Sequence, residues 1–224
     1  PNADEELKLH LENFKKTIEL CKSIGIEVEE VSVDRKLLNA IYSVYVVIHS
    51  AEATSNMSNL TGIIFGPRGE GNNINDIMFD ARTNGFSELI KRRFILGSYI
   101  LQKENQERLF KNAQRLRRII VNKINELFES YDGMILPARG GIAPKFEESI
   151  DRMSDRYLIL ENHMAIANFG GYPSITIPNG FVNNMPIGLN ITGPQFKDGE
   201  LLNIAYKIEE DLGNKGLIKE EYDV

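Results

Sequence analysis

Three consecutive cations stand directly before an apolar run in the stretch ELIKRRFILGSY, residues 88–99. They are Lys91, Arg92 and Arg93, and a Phe-Ile-Leu triplet follows them. An ion that leaves water is costly unless it is paired, so a buried Arg93 requires a carboxylate. That carboxylate belongs either to the protein or to a ligand, because the planar guanidinium grips both in a bidentate way. On spacing alone, a structural Arg–Glu pair between helices is favoured over a ligand site.

The other residues that could do chemistry form no recognisable constellation. The histidines His10, His49 and His163 are far apart, and none has a second ligand at metal-binding spacing, so they are interpreted as ordinary helix residues and no metal site is predicted. The chain contains no GxSxG motif and no serine in a glycine-rich turn. Cys21 lies in an expected helix beside Lys22, which favours packing over catalysis.

Composition and charge exclude several classes of protein. The 224 residues are 42% hydrophobic and 26% charged, which is typical of a globular protein, and the net charge of −6 produces no global attraction to nucleic acid or to an anionic membrane. A single cysteine fits a reducing compartment. No apolar run approaches the roughly 20 residues that span a bilayer, and the acidic N-terminus is unlike a secretory signal. These features predict a cytoplasmic protein.

Hydrophobic periodicity predicts a mixed α and β chain with more helix than strand. Asp34 is expected to cap a helix whose middle, 37–48, is apolar on almost every face and should therefore be buried all round. Further helices are predicted over 4–24, 75–82, 86–102, 104–130, 152–168 and the segment GELLNIAYKIEEDLG. Strands are predicted over 26–33, near 133–137, and on both sides of a turn that contains Asn183-Asn184.

Five segments, taken in order, resemble the C-terminal half of the amidase signature family. They are VYVVIHSAEATSNMSNLTGIIFG, ARTNGFSELIKRRFILGSY, YDGMILP, ANFGGYPSITIPNG and MPIGLNITGPQFKDGELLNIAYKIE. GGYPSITIP and PIGL are general to the family, whereas GFSELIKRRFILG with EATSN is similar to the A subunits of tRNA-dependent amidotransferases. The resemblance implies an α/β fold with a mixed central sheet covered by helices, and residues 1–224 as the C-terminal portion of one amidase domain.

The resemblance also implies that the catalytic residues lie elsewhere. The family uses two serines and a lysine from its N-terminal half, where the serines stand in a glycine- and serine-rich stretch. No such stretch occurs here, so no catalytic residue is assigned in this chain and the triad is expected upstream. The isolated chain is therefore expected not to hydrolyse glutamine.

Three substrate-binding residues are carried over from the family. The position that matches Arg93 binds the α-carboxylate of glutamine. An acidic residue seven positions before the asparagine of N-x-x-G-x-P binds the α-ammonium, and here that residue is Glu161, before Asn168. Tyr45, seven positions before the glutamate of EATSN, lines the site. Two positions depart from the pattern, because Glu161 replaces the usual aspartate and Asn190 replaces a usual glutamine.

The activity implied by the resemblance is the conversion of Glu-tRNA(Gln) to Gln-tRNA(Gln), or of the aspartyl equivalent. The glutaminase component releases ammonia from glutamine, and a partner component uses ATP and Mg²⁺ to activate the glutamate on the tRNA. The expected partners are the B and C subunits, and this chain itself is expected to bind no cofactor. Exposed apolar surface on a partial chain would favour self-association. Two alternatives remain, an amidase for another small amide and a non-enzymatic helical α/β interaction domain.

Overall fold

The computed structural model describes residues 3–143 and 162–214. Side chains are described from residue 5 in the first range and from residue 163 in the second. The chain divides into two compact units. The continuous unit comprises Asn39–Ile119, and the split unit comprises Pro1–Leu38 with Ile120–Val224.

Most of the described chain is helical, as the periodicity predicted. The helices are α1 (Ala3–Ser23), α2 (Arg35–Asn56), α3 (Ile74–Asn84), α4 (Glu88–Leu101), α5 (Lys103–Asn105), α6 (Asn112–Phe128), α7 (Ala165–Gly170) and α8 (Asp198–Leu212). Short 3₁₀ turns cover Met57–Asn59 and Asn162–Met164. The long helix predicted over 104–130 is interrupted, since Gln106–Lys111 is a π-helix between α5 and α6. Residues 152–161 of the helix predicted over 152–168 lie outside the described residues.

Three antiparallel strands form the described sheet. They are β1 (Met134–Pro137), β2 (Ser174–Val182) and β3 (Met185–Thr192), in the order β1-β3-β2. The predicted hairpin is confirmed, because Asn183 and Asn184 join β2 to β3 with φ of 49° and 62°. Asparagine tolerates this left-handed conformation, and positive φ at both central positions is what a type I′ two-residue hairpin needs. The α/β, helix-rich fold class is also confirmed.

The core of the split unit lies between the sheet and helices α1 and α8. Its buried members are Cys21, Ile177, Leu189, Ile191, Leu201, Ala205 and Ile208. Buried polar groups also tie α1 to β2, since Thr17 Oγ1 donates to Asn179 Oδ1 at 2.7 Å and Asn179 Nδ2 donates to Asn13 Oδ1 at 2.7 Å. Cys21 is therefore a packing residue, as its sequence context indicated.

The strand predicted over 26–33 is wrong. These residues form no helix or strand, although Ile26 and Val28 pack against the core of the split unit while Glu27 and Glu29 are exposed. An alternating pattern reports alternate burial, and an extended segment that lies against a core shows that pattern without pairing to a neighbouring strand.

The second helix begins as predicted but is buried on one face only. The Asp34 carboxylate accepts a hydrogen bond from the Lys36 backbone N–H at 2.8 Å, which is N-terminal capping. In the predicted all-round apolar stretch, Ile41, Val44 and Ile48 are buried, whereas Leu38 is 38% exposed. The prediction of burial all round is therefore wrong for the described part of the chain, since the other apolar side chains are only half-buried or exposed.

Arg82 joins the elements that flank α4 in the continuous unit. Its Nη1 donates to the backbone oxygens of Met57 at 3.0 Å and Leu60 at 3.1 Å, just after the end of α2. The guanidinium carbon lies 5.1 Å from the ring centroid of Phe94 and 5.4 Å from that of Phe86. One cation thus donates to two backbone carbonyls and lies near two aromatic rings, one just before α4 and one within it.

Candidate functional site

The crossing of α2 and α4 positions the predicted binding residues of the continuous unit. A Cβ atom at Gly97 would lie 2.1 Å from both the Ser50 backbone oxygen and Thr54 Oγ1, so only glycine permits this close approach. Thr54 Oγ1 donates to Ser50 O at 2.8 Å and lies 3.4 Å from the Phe94 backbone oxygen. Arg93 precedes Gly97 by four residues and therefore lies on the same face of α4, next to α2.

The three cations of α4 have three different environments. Lys91 Nζ donates to the backbone oxygen of Thr83 at 3.0 Å and so supports the last turn of α3, where a cation is favourable. Arg92 is exposed, whereas Arg93 is half-buried. The apolar triplet that follows is not wholly inside, because Ile95 is 74% exposed.

Tyr45 is held against a second aromatic ring on α2. The rings of Tyr45 and His49 are stacked, with centroids 5.2 Å apart and planes inclined by 7°. The two residues are four positions apart, so they project from the same face of the helix one turn from each other. Stacking of this kind stabilises the orientation of both rings by about 0.5–1.5 kcal/mol.

His49 connects this ring pair to Arg93 electrostatically. Partial burial and the positive charge of Arg93 lower the pKa of His49, and Glu52 opposes them with a smaller effect. The ring Nε2 of His49 is buried, and no hydrogen-bond partner reaches it among the described residues. The arrangement is a half-buried guanidinium, a neutral imidazole and a phenol ring presented by two crossing helices.

On sequence grounds, His49 is interpreted as an ordinary helix residue and is not connected with Tyr45. A usable signal was present, since His49 follows Tyr45 by four residues on a helix and so shares its face. The cation beside His49 is Arg93 of α4, so residue spacing within α2 cannot predict that the two lie near each other.

Of the other positions that the sequence singles out, the structure describes Asn168 and Asn190 but not Glu161. Glu161 lies outside the described residues, so its assignment stays a prediction. Asn168, which marks the motif, is exposed in α7 of the split unit. Asn190 is buried in β3, where its Nδ2 is within hydrogen-bond distance of Ser174 Oγ at 3.0 Å and of Thr176 Oγ1 at 3.2 Å. The Asn190 side chain therefore links β3 to β2 by hydrogen bonds.

Two kinds of feature are absent from the described part of the chain. No group of three or more His, Cys, Asp or Glu side chains there could hold a metal ion. No described helix is both long enough and apolar enough to cross a bilayer.

Comparison with known proteins identifies the family. The family model described as Amidase matches residues 6–202, so the chain belongs to the amidase family. It is 33% identical over 202 residues to the A subunit of glutamyl-tRNA(Gln) amidotransferase from Thermotoga maritima, and the match covers 89% of this chain and 41% of that protein. It is 35% identical over 187 residues to the first A subunit of glutamyl-tRNA(Gln) amidotransferase from Clostridium acetobutylicum, with coverage of 83% and 38%.

Solved structures agree with this assignment. The crystal structure of the same Thermotoga maritima protein superimposes with a TM-score of 0.65 at 29% identity, and the match covers 91% of this chain and 39% of that chain. An amidase crystal structure superimposes with a TM-score of 0.66 at 20% identity, which supports the fold alone. The chain thus spans about two fifths of the length of these relatives, at 38% to 41% of each.

Proposed function

We propose that this chain supplies the amino-acid-binding part of a glutamine-hydrolysing amidase subunit in a tRNA-dependent amidotransferase. The parent enzyme converts Glu-tRNA(Gln) to Gln-tRNA(Gln) with ammonia released from glutamine. Arg93 binds the α-carboxylate of glutamine, Tyr45 lines the site, and Glu161 binds the α-ammonium group.

The observation that carries the proposal is the environment of Arg93. The side chain is half-buried, yet no carboxylate in the described ranges 3–143 and 162–214 forms an ion pair with it. The structural Arg–Glu pair favoured by spacing alone is therefore not formed within those ranges. A partly desolvated cation that has no counter-ion within the described ranges favours an anionic ligand.

A clamp of this kind selects an amino acid by its charged end. The roles proposed for Arg93 and Glu161 match the two charges of a zwitterion, and a hydrogen bond to a charged group contributes about 1.5–3 kcal/mol. Anchoring glutamine at its α-carbon end also holds the side-chain amide at a fixed distance from a nucleophile, which lowers the entropic cost of the reaction. The glutamate at position 161 keeps the charge of the usual aspartate with one additional methylene.

The rest of the proposal concerns the complete enzyme. The serine–serine–lysine triad belongs to the part of the amidase domain that precedes the matched region. The B and C subunits complete the amidotransferase, with ATP and Mg²⁺ bound by a partner rather than by this chain. Glu-tRNA(Gln) reaches the glutaminase only through the complex, and the whole assembly works in the cytoplasm.

The test measures glutaminase activity in the complete gene product. Arg93→Ala is expected to raise the KM for glutamine at least about tenfold, the equivalent of one lost charge-assisted hydrogen bond. Arg93→Lys should recover only part of the loss, because lysine keeps the charge but not the bidentate fork. Arg118→Ala is the matched control, since Arg118 is an exposed arginine of α6 and should change nothing. Residues 1–224 alone should show no turnover.

The same preparation distinguishes the alternative functions. Unchanged glutamine KM in Arg93→Ala would refute the assignment of Arg93. Hydrolysis of other small amides, without glutaminase activity and without co-purifying B and C subunits, would favour another amidase. No amidase activity on any small amide would favour a non-enzymatic interaction domain.

A further inference from the structure

We propose that His49 is a second carboxylate-binding residue of this site, in which its Nε2–H donates a hydrogen bond to the carboxylate that Arg93 holds. The identification of that carboxylate as the α-carboxylate of glutamine rests on the proposed function. The assignment of His49 to an anion rests on its own geometry.

The first observation is an unsatisfied polar atom in a fixed position. His49 Nε2 is shielded from solvent and has no hydrogen-bond partner among the described residues. A buried donor or acceptor without a partner is unfavourable, and each such atom in a folded protein calls for an explanation, of which a ligand is one. The stack against Tyr45, with the ring planes inclined by only 7°, favours this orientation of the imidazole over others.

The second observation is the charge around the ring. Among the described residues, Arg93 on α4 and Glu52 on α2 are the charged groups that act on His49, and the titratable Tyr45 lies against its face. Burial and Arg93 lower the pKa of His49, so the ring is neutral at neutral pH. A neutral donor beside a guanidinium can add a hydrogen bond to a carboxylate without adding repulsion against Arg93.

His10 shows which feature distinguishes His49 from a packed histidine. His10 on α1 is 6% exposed, its Nε2 also has no partner among the described residues, and burial lowers its pKa as well. The charged group that acts on His10 is Glu6, which is an anion. The positive charge beside His49 favours a carboxylate, whereas the negative charge of Glu6 beside His10 opposes one, so His10 serves as the matched control.

The kinetic test uses the complete gene product with two substrates. One is L-glutamine, and the other is L-glutamine α-amide, which lacks the α-carboxylate. His49→Ala is expected to raise the KM for glutamine about ten- to a hundredfold, with a much smaller change in kcat. It should leave the KM for the α-amide nearly unchanged, because the lost partner is absent from that substrate. His49→Gln should recover much of the affinity, since its amide nitrogen can replace the Nε2 donor.

The control separates binding from stability. His10→Gln is expected to leave both KM values unchanged. If His49→Ala raised the KM values for glutamine and its α-amide equally, or changed neither, His49 would not contact the carboxylate and the proposal would be overturned.

A second measurement does not depend on turnover. The imidazole ¹⁵N resonances of His49 are followed by NMR while sodium propionate, and separately glutamine, are added to the same protein. A shift of the His49 Nε2 signal that disappears in Arg93→Ala supports the carboxylate site. If propionate shifted the His49 Nε2 signal in a protein that lacks glutaminase activity, the carboxylate site would be supported and the proposed function would be rejected. If the protein had glutaminase activity but neither propionate nor glutamine shifted the His49 Nε2 signal, the carboxylate site would be rejected and the proposed function would stand.

Discussion

Replacing Gly97 by alanine is expected to destabilise the contact between α2 and α4 and to weaken amino-acid binding at the same time. The new Cβ would lie 2.1 Å from Ser50 O and from Thr54 Oγ1. Carbon and oxygen make ordinary close contacts at about 3.3–3.6 Å, so the two helices must separate by about 1 Å. One of the two contacts is with a backbone atom, which cannot move away by a change of rotamer.

The magnitude follows from two opposing effects. Overpacking a close contact costs about 1–3 kcal/mol, and the rigid partner places this substitution near the upper end. Alanine regains up to about 1 kcal/mol of helix propensity. The net loss in the free energy of unfolding is therefore about 2 kcal/mol, which corresponds to a fall in Tm of about 4–8 °C for a chain of this size.

The assay is urea unfolding followed by circular dichroism at 222 nm, beside the glutamine KM of the complete gene product. Gly199→Ala is the matched control, because Gly199 also lies in a helix but a Cβ there meets nothing within 4 Å. The control is expected to be neutral or slightly stabilising. If Gly97→Ala were as stable as Gly199→Ala and kept its glutamine KM, the close crossing would not position Arg93.

Two other properties follow from buried groups. Burial lowers the pKa of both His10 and His49 below 6.5, so the unfolded chain takes up protons at a higher pH than the folded chain. The free energy of unfolding should therefore fall as the pH drops through about 6.5 towards the folded pKa values. In the double variant His10→Gln/His49→Gln, the free energy of unfolding should depend less on pH. An equal slope in the variant and the unmodified protein would contradict this. Cys21 is fully buried and burial raises the pKa of its thiol, so an aromatic disulfide reagent should modify it only after unfolding; rapid modification of the folded chain would contradict its burial.

Local sequence patterns predicted the helices and the hairpin well. Asn183-Asn184 between two apolar alternating segments was sufficient, because tight turns depend on a few residues with unusual φ. The strand predicted over 26–33 failed because alternation reports burial, whereas pairing depends on a neighbouring strand that the local pattern does not contain. The π-helix at Gln106–Lys111 has no counterpart in the periodicity.

The candidate site was only partly accessible from the sequence. Spacing could not separate Lys91, Arg92 and Arg93, because their environments are set by α2 and α3 rather than by α4 itself. The family resemblance selected Arg93 and Tyr45, but it could not indicate His49. The Nε2 of that residue, which has no hydrogen-bond partner among the described residues, and the charge of Arg93 come together only in three dimensions.

The hydrogen bond between Thr17 and Asn179 has a consequence for the time course of biosynthesis. The two residues are 162 positions apart, and α1 is synthesised first. At about 5–20 residues per second, α1 leaves the ribosome about 10–30 s before the strand that covers it. The continuous unit, formed by one uninterrupted segment, needs no such wait. The first helix must therefore remain soluble with its apolar face uncovered, and the polar Asn13, Thr17 and neighbouring charges on that helix reduce its tendency to associate with other nascent chains during this interval.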